Sequence, residues 1–67
     1  MDGESEIKRF ARHVGRVAEL VDQQRRRVRS LKGTRDFSGA AELLEQLEAW
    51  LQLHEEQLVI LRELETE

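Results

Sequence analysis

Two runs of apolar residues spaced alternately three and four apart, separated by a glycine-containing break, constrain this chain more than any other feature. In the first run Ile7, Val14, Val21 and Val28 fall at heptad position a, and Phe10, Val17, Gln24 and Leu31 at position d. In the second, Phe37, Leu44, Leu51 and Leu58 take a, and Ala40, Leu47, His54 and Leu61 take d. An α-helix gathers such spacings onto one face, whereas a half-buried strand alternates with period two. The pattern predicts an all-α chain with helices over about 4–32 and about 38–65 and a turn at about 33–38.

The break reads Lys32-Gly33-Thr34-Arg35-Asp36-Phe37-Ser38-Gly39. Gly33 suits the left-handed residue that ends a helix, and Asp36 or Ser38 can cap the next one, with Ser38 favoured. A connection this short makes the helices antiparallel neighbours. The 67 residues suffice for one domain, spanning 1–67. The chain has no Cys, which removes disulfides and thiolate metal sites, and no Pro, which leaves both helices uninterrupted.

The second helix is more apolar than one partner requires. Leu43, Trp50 and Leu64 line a position flanking its a/d stripe, and Leu53, Val59 and Ile60 are expected on the other side. The sequence therefore predicts an antiparallel hairpin that dimerises into a four-helix bundle, or that docks on another helical protein. The expected protein interface comprises Leu43, Trp50, Leu53, Leu58, Val59, Ile60, Leu61 and Leu64, since clustered aliphatic and aromatic side chains dominate interfaces.

Charge is divided between the halves. Residues 1–35 carry ten basic and five acidic side chains; residues 36–67 carry one basic and nine acidic. Opposite fields favour docking of unlike helices, while each exposed pair contributes only about 0–1 kcal/mol. The Arg25, Arg26, Arg27, Arg29 and Lys32 cluster, with Arg35 beyond it, is a candidate phosphate-binding segment. Successive helical residues point 100° apart, so these cations surround the helix rather than forming a stripe. Asp36 in the break and Glu42 and Glu45 of the second helix are expected nearby. The row Arg9, Arg12 and Arg16 does share a face, with Glu55 and Glu56 expected opposite. A solvated or intra-bundle role outweighs nucleic-acid binding on this pattern.

Three residues break the apolar pattern. Gln24 and His54 occupy d positions, where a buried polar group fixes register at some cost in stability or else reaches water at the edge. His54 reads as a neutral core histidine, with a pH switch as the sharper alternative. Antiparallel threading brings it towards His13, although no metal-ligand spacing accompanies the pair. Gly15 interrupts the first helix and is expected to make room for a large side chain or a close helix crossing, with a tolerated surface glycine as the plainer alternative.

No phosphate loop, nucleophile motif or metal-ligand cluster is present, so the expectation is a non-enzymatic chain with no cofactor, metal or small-molecule substrate. The acidic start Met1-Asp2-Gly3-Glu4-Ser5-Glu6 is unlike a signal peptide, and the longest apolar run, Leu58-Val59-Ile60-Leu61, is far short of a membrane span. A cytoplasmic protein without membrane contact is the expectation. In length and in its helix–Gly turn–helix plan, the chain resembles the co-chaperones of type III secretion needles and the RNA-binding bundle of plasmid copy control. The resemblance covers the plan alone, rests on no shared motif and carries no residue or activity across. The function expected is that of an interaction module (a small adaptor, chaperone-like protein or inhibitor). The alternative is a nucleic-acid-binding or phage/plasmid-type regulator that uses the Arg-rich first helix.

Overall fold

A computed structural model describes residues 5–66. It contains two helices, α1 (Glu6–Ser30) and α2 (Phe37–Thr66), which pack against each other; no strand occurs among the described residues. The sequence places the start of the first helix at about residue 4, and Glu4 lies outside the described residues.

Local chemistry sets both ends of α1. The Ser5 hydroxyl accepts a hydrogen bond from the Lys8 amide at 3.2 Å, satisfying one of the donors a helix start leaves open. Glu6 in the first turn and Arg27 and Arg29 in the last complement the helix dipole. At the far end the Leu31 amide donates to the carbonyls of Arg27 and Val28 at 3.0 and 3.2 Å. Gly33 then takes φ +86°, the left-handed conformation its position predicts. Thr34 locks the turn by donating its amide and its hydroxyl to the Leu31 carbonyl.

α2 opens one residue earlier than expected. Phe37 is already helical, and the Asp36 carbonyl accepts from the Ala40 amide at 3.1 Å. Ser38 therefore lies inside the first turn rather than at the cap.

The heptads place the core. Val14, Val17, Val21, Ala40 and Leu58 are buried, with Val17 and Val21 only 2% and 1% exposed. Every other a or d residue of both helices is half-buried. Burying β-branched Val along α1 supplies by packing what its modest helix propensity lacks.

Gln24 fixes the register. Its side-chain amide donates to the main-chain carbonyl of Ala40 at 2.9 Å, so this polar d residue bridges the helices instead of reaching water. Gly15 does not do what its position suggested. It is exposed, and a Cβ built there would meet nothing within 4 Å, so neither a large side chain nor a close crossing uses the space.

Candidate protein-docking seam on helix α2

The two flanks of the hairpin differ. Along one, heptad position e carries Ala11, Ala18 and Ala41, all half-buried, and the ion pair Arg25–Glu48. Arg25 donates from Nε at 3.2 Å and from Nη2 at 3.1 Å to the same Glu48 oxygen, and its Nη1 reaches Asp22 at 3.4 Å. Short side chains and this clamp close that flank. The acid that meets the Arg-rich segment is thus Glu48, one turn beyond the Glu45 expected from sequence.

The other flank, heptad position g, is open. It presents His13, Leu20 and Arg27 from α1 and Leu43, Trp50 and Leu64 from α2. A groove of about 720 Å³ runs there between Leu20, Gln23 and Arg27 on one wall and Leu43 and Leu47 on the other. It continues towards the turn past Leu31, Asp36 and Gly39. Leu20 and Leu43 are each 46% exposed in it. The sequence reading missed Leu20, because a lone Leu among charged neighbours carries no periodicity.

Midway along this flank sits an aromatic cluster. The His54 ring stacks on Phe10 at 5.7 Å and meets the edge of Trp50 at 5.0 Å, and His13 lies 5.3 Å from His54 and 6.0 Å from Trp50, all between ring centroids. The His54 Nδ1 is 2.8 Å from the Trp50 carbonyl oxygen, one turn back along α2. That contact holds the imidazole against its own helix while its face covers Phe10. The two histidines do converge, but among the described residues no third His, Cys, Asp or Glu joins them in a group able to hold a metal ion. Their observed role is packing.

The residues singled out for an interface separate into two sets. Leu58 is 9% exposed and Leu61 half-buried; both belong to the a/d seam against α1. Leu43, Trp50, Leu53, Val59, Ile60 and Leu64 remain exposed. Leu53 and Ile60 do not lie opposite Trp50, as the sequence reading had it. In the continuous helix they occupy heptad position c, one step around from g; only Val59, at position b, is on the far side. Positions c and g therefore read Leu43, Gln46, Trp50, Leu53, Gln57, Ile60, Leu64, again spaced alternately three and four. This is a second heptad seam, rotated by about 100° from the first. Trp50, Leu53 and Ile60 are 41%, 64% and 54% exposed on it. Its outer border, position f, carries Glu42, Glu56 and Glu63.

The phosphate-binding candidates Arg25, Arg26, Arg27, Arg29 and Lys32 are all exposed and distributed around α1 and the start of the turn. Arg25 is committed to Glu48 and Asp22, and no ion pair joins Arg26, Arg27 or Arg29 to an acid among the described residues. Among those residues no helix is long and apolar enough to cross a membrane. Compared with protein-family models, curated proteins and solved structures, the chain matches none of them.

Proposed function

We propose that this chain is a non-enzymatic protein-interaction module that works by docking a helix on the second seam of α2. One observation carries the reading: α2 bears two complete heptad seams, and α1 occupies only one of them. A helix with two apolar faces needs two neighbours, because exposed apolar stripes of this length are characteristic of interaction surfaces rather than of isolated soluble helices. Trp50 supplies the aromatic anchor, with Leu43, Leu53, Ile60 and Leu64 around it. Adaptor, chaperone-like and inhibitor roles all use such a surface, and self-association is its simplest form.

Trp50 is the only tryptophan, so its fluorescence reports this surface directly. The experiment is a titration with a hydrophobic dye over a range of protein concentrations, reading energy transfer from Trp50. The seam accepts dye when it is uncovered and excludes it when a neighbouring helix covers it, and Leu53→Asp/Ile60→Asp abolishes the signal. A chain that stays monomeric at every concentration and still binds no more dye than the variant contradicts the reading.

A second reading, nucleic-acid binding, is supported by Arg26, Arg27 and Arg29, which are exposed and form no ion pair with an acid among the described residues. It requires salt-sensitive retention of duplex or RNA that disappears in Arg26→Ala/Arg27→Ala/Arg29→Ala. Retention that ignores both salt and these substitutions is inconsistent with it.

A further inference from the structure

We propose that the occupant of the second seam is the same seam of another copy of this chain, lying antiparallel, with Gln46 of each copy opposite Gln57 of the other. The proposal rests on the interaction reading above and specifies the partner.

The exposed area of the chain calls for a partner of its own size. The chain of 7.9 kDa exposes 5508 Å², whereas a compact folded monomer of that mass exposes roughly 4,400 Å². The excess, about 1,100 Å², reflects a rod measuring 50 × 23 × 12 Å. A stable protein–protein interface removes about 800 Å² from each partner. One copy docked along the seam therefore accounts for most of the excess.

The seam is also self-complementary. When two such seams run antiparallel, each g residue meets a c residue of the other helix. One register places Leu43 opposite Ile60, Gln46 opposite Gln57 and Trp50 opposite Leu53, and the two-fold axis repeats all three layers. Apolar residues meet apolar ones, the large Trp50 meets a smaller side chain, and the two polar residues meet each other. Paired glutamines satisfy their amides and fix register, as a single buried polar layer does in coiled coils. Sliding by one heptad sets Gln46 against Leu64 and Gln57 against Leu53, leaving each amide against an apolar side chain. Parallel pairing sets Trp50 against Trp50 and aligns the dipoles of two 30-residue helices.

Charge gives the arrangement a signature. The antiparallel register brings Glu42 of one copy beside Glu63 of the other on the outer border. That repulsion is exposed and screened by salt, so association strengthens as salt rises. A basic helical partner would show the opposite dependence.

The chain contains no cysteine, so single cysteines report the register cleanly. Gln46→Cys and Gln57→Cys are purified separately, mixed and oxidised gently, with Leu64→Cys as a third member, and the wild type is weighed by light scattering in the same buffer. The 46–57 heterodisulfide is expected to exceed either homodisulfide about tenfold, because a disulfide needs Cα atoms within about 7 Å. In this register 46–46 and 57–57 pairs stand about 16 Å apart along the axis. Dominant homodisulfides mean a parallel pair, and a dominant 46–64 product means the shifted register; either overturns the proposal. A wild type that is monomeric yet binds dye through Ile60 overturns the second copy while leaving the interaction reading intact. A dimer that forms none of these disulfides overturns both.

Discussion

Gln24 and Ala40 are joined across the hairpin by a 2.9 Å hydrogen bond from the glutamine side chain to the alanine carbonyl. The bond converts a polar residue in an apolar seam into a register pin close to the turn. It also ties the middle of α1's second half to the first turn of α2, where the helices enter their common seam. Gln24→Ala is expected to lower stability by about 1 kcal/mol. Urea denaturation followed by circular dichroism should show a lower midpoint with an unchanged slope.

Gly15 has no neighbour within 4 Å of where a Cβ would sit and lies in the interior of α1. Gly15→Ala is therefore expected to stabilise the chain by about 1 kcal/mol, the difference in helix propensity between the two residues. Thermal melts should move upward while the solution mass stays unchanged.

Gly33 also has open space around it, but its φ of +86° decides the outcome in the other direction. Gly33→Ala places a Cβ in a left-handed conformation at a cost of about 1–2 kcal/mol. Comparing the two alanine variants in one denaturation series separates backbone strain from steric crowding, since neither site is crowded.

Arg25 and Glu48 are half-exposed, so their ion pair is expected to contribute little to stability. Side-chain exposures of 49% and 42% leave it open to solvent screening. A double-mutant cycle with Arg25→Ala and Glu48→Ala should give a coupling of about 0.5 kcal/mol that shrinks in high salt. The pair's larger effect is geometric: it bridges the two helices along one flank, while the groove lies along the other.

Much of the fold was legible in the spacing of Val14, Val17, Val21, Leu44, Leu51 and Leu58, because a heptad repeat specifies both the helix and its buried face. The turn was legible in Gly33, where the required φ selects the residue. Gly15 was misread because a helical glycine looks alike in sequence whether it faces a neighbour or water. The start of α2 was misplaced because Asp36 and Ser38 are both good caps, and the bond from Ala40 to Asp36 decides between them.

The candidate site was legible only in part. Excess apolar residues in α2 were plain, but Leu53 and Ile60 were set on the wrong side of Trp50. The continuous turn of α2 from Phe37 to Thr66 merges them with Leu43, Trp50 and Leu64 into one seam. Which flank would open depended on the Arg25–Glu48 clamp and the small e-position alanines, and those matter only once the register is known.

Sedimentation equilibrium of the wild type beside Leu53→Asp/Ile60→Asp tests the central claim most directly. Both substitutions lie on the second seam and outside the a/d core, so helicity should be the same in the two proteins. Association through the seam predicts twice the chain mass of 7.9 kDa for the wild type and a single chain mass for the variant. Equal masses for the two proteins, whether monomeric or dimeric, contradict it.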